Sequence, residues 1–211
     1  MEVFEHKDLP GLFQGVADIF EEKKDELCEM DANMGDGDLG LTMQKGFSAF
    51  PRLLSENAEP EDIGKTLFKA GMKMAGLVPS TMGTLMASGI MEGGKLLKGK
   101  SRIEVAEFAG FLKAFAEGVQ KRGKCQAGER TILDALLKGA ERAEESAGAG
   151  GSLEDLMQAA CEGAKEGVEA TKDMVPKHGK AAVFAAKAKG VPDQGAMAGL
   201  YLLEGMRRFF C

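Results

Sequence analysis

The chain has 211 residues, with 27 Lys plus Arg against 33 Asp plus Glu, a net charge of −6 and a pI near 5.2. No excess of cations exists to displace phosphate counterions, which argues against a nucleic-acid-binding protein. A hydrophobic share of 44% and a charged share of 28% exclude a disordered chain, and the length suffices to bury a core without disulfide or metal staples.

Aromatic residues are scarce, with no Trp, one Tyr and 12 Phe, while 29 Gly and 13 Met stand out. Few aromatic and β-branched residues among many Ala, Leu, Met, Lys and Glu favour helix over sheet. The glycines pull the other way, since each one inside a helix costs about 0.5–1 kcal/mol relative to Ala. Cys28, Cys125, Cys161 and Cys211 form no CxxC pair. The start, MEVFEHKDLP, lacks the apolar segment of a signal peptide, and no run approaches the roughly 20 apolar residues of a membrane span. These features predict a cytoplasmic protein with reduced thiols.

In chain order, Pro10 to Cys28 places Leu12, Val16, Ile19 and Phe20 on one helical face. A polar break from Asp31 to Gly40 follows, then helices over Leu41–Leu54, Glu61–Met74 and Ser80–Leu97, the last with Ser80 as N-cap. Ser101 and Glu104 have capping-box spacing for a helix running to about Gln120. Further helices are predicted over Glu129–Ser146, from a Ser152 cap with Asp155 three residues on, over Gly179–Lys189 and over Ala196–Phe209. No strand alternation and no fixed-period repeat is visible. The expectation is an all-α protein, one antiparallel helical bundle or barrel of about eight or nine helices, forming a single domain over residues 1–211.

The break Asp31-Ala32-Asn33-Met34-Gly35-Asp36-Gly37-Asp38-Leu39-Gly40 sets three carboxylates between two helices. Carboxylates this close repel unless a cation or full hydration intervenes, and all-oxygen ligands suit Mg²⁺ or Ca²⁺. A solvated acidic loop is the alternative. The EF-hand pattern fails, because Gly35, Asp36 and Thr42 stand where it needs an acid or amide, a Gly and a Glu. Gly35, Gly37 and Gly40 match GxGxxG, but no strand precedes them. Gly89 to Lys95 spells GxxxxGK, yet Leu96 replaces the required Ser or Thr.

Three further segments place small or polar residues at predicted helix starts. They are Pro79–Thr84, Gly128–Asp134 and Gly190–Ala196, and each would offer free N–H groups to an anion. Up-and-down helices would gather many of these loops at one end.

Taken in order, the D-x4-DGD-x-G loop, Thr81-Met82-Gly83, GERTILD and DQGA resemble the nucleotide-binding subunit of dihydroxyacetone kinase, the DhaL or DAK2 family, over nearly the whole chain. The resemblance implies an eight-helix antiparallel barrel with a nucleotide, ADP or ATP, at its loop end. It implies Asp31, Asp36 and Asp38 as catalytic ligands of two Mg²⁺ ions bridged to the phosphates. It implies phosphate contacts from Thr81, Met82 and Gly83, adenine-side contacts from Gly123 and Ile132, and a contact from Asp193. Leu39 and Thr42 stand at two nucleotide-contact positions where the family has His and Asn, Met82 where Ser is common, and Lys180 or Lys187 matches a late basic residue. Implied partners are a DhaK-like subunit that holds dihydroxyacetone or a related ketose and a DhaM-like phosphotransferase-system donor. Neither His6 nor His178 matches the partner's substrate-binding His. Two other readings stand beside this ketose kinase subunit. One, prompted by Leu39 and Met82, is a catalytically reduced barrel acting as a regulator or scaffold. The other is a helical Mg²⁺-binding protein without nucleotide.

Overall fold

The computed structural model describes residues 1–184 and 188–211, so Lys187 and part of the expected Gly179–Lys189 helix lie outside the described residues. The helices are α1 (Leu9–Glu22), α2 (Lys24–Met34), α3 (Leu39–Glu56), α4 (Ile63–Leu77), α5 (Thr81–Leu96), α6 (Val105–Gly123), α7 (Ile132–Gly148), α8 (Leu153–Ala170) and α9 (Gln194–Arg207). Short 3₁₀ turns cover His6–Asp8, Thr171–Asp173 and Lys180–Phe184.

The caps are local and follow the sequence. Ser80 Oγ accepts the Gly83 N–H at 3.0 Å, and Ser152 pairs reciprocally with Asp155. Thr131 and Asp134 form a further capping box at α7. Two expectations needed correction. The Pro10–Cys28 helix is broken at Lys23, so α1 and α2 are separate and Asp31 lies in the last turn of α2. Ser101 and Glu104 do not form a capping box. Arg102–Glu104 instead forms a strand, β2, antiparallel to β1 (Val3–Glu5), and the box at α6 is Glu104 with Glu107. The strand wins because Ile103, facing Phe4 in the ladder, buries an apolar side chain there: both are 1% exposed.

Among the described residues, α1, α3, α4, α5, α6, α7, α8 and α9 each pack on the next and α9 returns to α1, closing an eight-helix ring. Helix α2 sits outside it against α3 and α9. Neighbours in the ring run antiparallel, as short connections require. The far end is plugged by Phe4 against Phe108 and Phe209, with ring centroids 5.5 and 5.9 Å apart. The interior is filled by Phe13, Phe20, Phe47 and Phe50.

Much of the glycine excess serves helix contact. A Cβ on Gly15 would lie 2.4 Å from the Gly205 carbonyl oxygen between α1 and α9, and one on Gly64 2.3 Å from the Gly94 oxygen between α4 and α5. Gly163 and Gly167 make the same approach from α8 to α7. Gly76 differs: among the described residues nothing lies within 4 Å of its added Cβ. No helix among the described residues is long and apolar enough to cross a membrane, and all four cysteines are free.

Candidate functional site: an acidic cluster among four helix N-termini

The alternating ring places the N-termini of α3, α5, α7 and α9 at one end, around a cavity of about 570 Å³. The first N–H groups of each helix lack intrahelical acceptors, so four positive ends of helix dipoles converge on this space. One wall carries the acidic cluster. Oxygens of Asp31, Asp36 and Asp38 lie within 4.8 Å of one another, with Asp31 buried and the other two exposed.

Asp31 organises the cluster. Its Oδ2 accepts the Gly37 N–H at 2.9 Å and the Asp38 N–H at 3.1 Å, folding the loop back on the end of α2. Gly37 turns there at φ +78°, a conformation that disfavours side chains. Gly35 lies so close that an added Cβ would stand 2.3 Å from Asp31 Oδ1. Gln194, at the start of α9, donates Nε2–H to Asp31 Oδ1 at 3.3 Å, while its own Oε1 is buried with no hydrogen-bond partner among the described residues. Three carboxylates and an unpartnered amide oxygen are the hard-oxygen donors that Mg²⁺ prefers, so the residues present fit the ion.

Lys180 supplies a cation above the cluster. Its Nζ donates to Asp36 Oδ2 at 2.6 Å, and this contact holds the Asp36 carboxyl below its ordinary range. Met82, Leu85 and Ile132 add apolar surface to the cavity lining.

The expected residues divide into those at the cavity and those behind it. Asp31, Asp36, Asp38, Leu39, Thr42, Thr81, Met82, Ile132, Lys180 and Asp193 all line it. Leu39 turns its side chain into the hydrophobic core at 6% exposure, so an apolar residue there is explained by packing. Asp193 caps α9, accepting the Ala196 N–H at 2.9 Å and facing Arg130 at 3.4 Å. Burial outweighs these contacts and pushes its carboxyl up to about 6. Gly83 and Gly123 do not line the cavity. The Gly83 N–H is taken by Ser80, and an added Cβ on Gly123 would meet Leu85, one layer behind the wall.

Sequence reasoning placed Glu129, Arg130 and Gln194 only within candidate loops, without their individual contacts, and it missed His178 as a member of this region. Arg130 is buried at φ +60°, donating to the Thr171 and Val191 carbonyls and to Asp193. His178 lines the cavity and meets Glu129 at 2.6 Å. The contacts of Arg130, Gln194 and His178 span 41 to 163 positions, beyond the reach of any local spacing rule.

Comparison with known proteins bears on family and fold. The DAK2 domain model matches residues 33–208. The ADP-binding subunit DhaL of a PEP-dependent dihydroxyacetone kinase from Listeria innocua is 29% identical over 195 residues, covering 92% of this chain and 89% of that protein. A D-erythrulose kinase from Mycolicibacterium smegmatis is 31% identical over 185 residues, but those cover 87% of this chain and only 32% of the relative. In fold, the chain matches the dihydroxyacetone kinase of C. freundii in its native form with a TM-score of 0.73 at 20% identity, covering 94% of this chain and 34% of that one. The same kinase in complex with AMP-PNP and Mg²⁺ matches with a TM-score of 0.69. The closed ring, the acidic loop at its open end and a family match over most of the length lead to one assignment: the chain belongs to the DAK2 domain family.

Proposed function

We propose that this chain, acting as one unit over residues 1–211, is the nucleotide-binding subunit of a dihydroxyacetone-type kinase. It would hold Mg-ADP or Mg-ATP and transfer the phosphoryl group to dihydroxyacetone or a related ketose on a DhaK-like partner. The observation that carries the reading is the gathering of three carboxylates and four helix N-termini around one cavity. Carboxylates alone repel phosphate, and helix ends alone attract any anion. The two together suit a phosphate chain escorted by a divalent cation.

Asp31, Asp36 and Asp38 would hold Mg²⁺, two ions in this reading, with the Gln194 amide oxygen close by. Bound there, Mg²⁺ supplies charge neutralisation between carboxylates and phosphates. The N–H groups of Thr81 and Met82 at the start of α5 would take phosphate oxygens, and Thr42 would offer a hydroxyl. Met82, Leu85 and Ile132 offer an apolar face to a nucleobase. Phosphoryl transfer depends on such positioning and electrostatics more than on covalent participation.

The relatives named as erythrulose kinases and as dihydroxyacetone kinase subunits support a ketose acceptor. The name "PEP-dependent" carried by the Listeria relative supports a phosphotransferase-system donor acting on bound ADP. The test is calorimetric titration with Mg-ADP, paired with a transfer assay that combines this chain with a DhaK-like subunit and candidate ketoses. Stoichiometric ADP in the purified protein favours the phosphotransferase route, and free exchange of ATP favours a direct donor. No Mg-nucleotide binding would overturn the proposal.

A further inference from the structure

The connection from α8 to α9 is held at three places among the described residues. At its base, Arg130 bonds the Thr171 and Val191 carbonyls, and the Gly190 N–H donates to the Lys172 carbonyl. At its middle, Glu129 grips two successive residues. The Lys177 N–H donates to the Glu129 carbonyl at 3.3 Å, Lys177 Nζ reaches Glu129 Oε1 at 3.4 Å, and His178 Nε2 meets Oε2 at 2.6 Å. Two residues further on, Lys180 Nζ bonds Asp36 at 2.6 Å.

Glu129 is itself fixed. Its Oε2 accepts the Gln126 N–H at 2.8 Å, and the turn around it is set by positive φ at Gly128 and Arg130 and by Asp134, which accepts the Gly128 and Thr131 N–H groups. The contacts with His178, Gln126 and Lys177 hold the Glu129 carboxyl down to about 2, so it keeps its charge throughout the neutral range. Successive Cα atoms lie about 3.8 Å apart, so pinning residue 178 limits where residue 180 can reach.

We propose that Glu129 is a positioning residue for Lys180: by gripping Lys177 and His178 it holds the Lys180 ammonium over the Asp31, Asp36 and Asp38 carboxylates. The inference rests on reading that cluster as the metal and phosphate site. Lys180 then acts as a counter-cation to these carboxylates and competes with a divalent ion for Asp36. When a cation displaces it, the ammonium remains beside the cavity, where phosphate oxygens would be bound.

The test reads Mg²⁺ affinity alone, by calorimetry without nucleotide, in the wild type, Lys180→Met, Glu129→Gln, His178→Asn and the Glu129→Gln/Lys180→Met double variant. Removing the competing ammonium is expected to tighten Mg²⁺ binding about fivefold in Lys180→Met. Releasing its anchor should tighten binding about two- to threefold in Glu129→Gln and in His178→Asn. In the Lys180→Met background Glu129→Gln should bring no further tightening, because the two residues act through one group. The direction is diagnostic. Loss of a negative charge by itself weakens cation binding, so tighter binding in Glu129→Gln is opposite in sign to a simple charge effect. Unchanged or weaker binding in Glu129→Gln, or further tightening in the double variant beyond Lys180→Met, overturns the inference while leaving the metal site standing. If none of the five proteins binds Mg²⁺, the metal reading falls and this inference with it.

Discussion

Arg130 Nη1 lies 3.4 Å from Asp193 Oδ1, with both side chains sealed from solvent. The pair joins the residue before the α7 cap to the cap of α9, so two of the four helix N-termini at the cavity share one buried ionic contact. Arg130 also satisfies two backbone carbonyls of the α8–α9 connection.

Removing that guanidinium leaves a buried carboxylate and two carbonyls without their donor. Arg130→Leu is expected to lower unfolding stability by about 3 kcal/mol, in the range for breaking a buried pair from one side. Urea denaturation monitored by circular dichroism measures this, and a loss under about 1 kcal/mol would show the contact to be unimportant.

Asp193 makes stability depend on pH in an unusual direction. Its carboxyl sits at about 6 in the folded protein against an ordinary 3.8, so the folded state holds the proton more tightly. The stabilisation is complete below 3.8 and is lost as pH rises through about 6. Asp193→Asn, which cannot ionise, should therefore trail the wild type most near pH 4. The gap should close by a few kcal/mol towards pH 7, at roughly 1.4 kcal/mol per pKa unit. A gap that widens with pH contradicts this.

Asp36 and Asp31 should behave differently when altered. Asp36 is exposed and, among the described residues, accepts a side-chain bond from Lys180 alone, so Asp36→Ala should abolish Mg-nucleotide binding while helical content and melting temperature stay near wild type. Asp31 also accepts two loop N–H groups, so Asp31→Ala should lose binding and about 1–3 kcal/mol of stability together. Unchanged nucleotide affinity in Asp36→Ala would remove the cluster from the site.

Glycines inside one helix should separate by environment. Gly76→Ala in α4 meets open space and should gain about 0.5–1 kcal/mol from the lower helical cost of Ala. Gly64→Ala in the same helix drives a methyl group into the Gly94 and Leu97 backbone, so α4 and α5 must part and stability should fall by about 1–3 kcal/mol. Thermal melts of the two variants, shifted in opposite directions, check the pair.

What the chain made legible alone were features set by neighbours three or four positions apart. Ser80, and Ser152 with Asp155, cap their helices as their spacing foretold, and the apolar stripe at Leu12, Val16, Ile19 and Phe20 faces the core. The acidic loop was equally visible, because its three aspartates fall within eight positions and Asp31 bonds the loop it starts. The misread Ser101–Glu104 box marks the limit of such reasoning. That segment pairs with Val3–Glu5, and a ladder contact from so far away overrides a local cap signal.

Only the tertiary structure decided which of these features meet. Lys180 reaches Asp36 across 144 positions, Gln194 reaches Asp31 across 163, and Arg130 reaches Asp193 across 63. None of these pairings follows from spacing, because each depends on ring closure bringing alternate helix starts to one end. Local hydrogen-bond geometry wrote the caps and the carboxylates into the sequence. Antiparallel packing of the helices, with glycines at their closest crossings, turned those caps and carboxylates into the walls of one cavity.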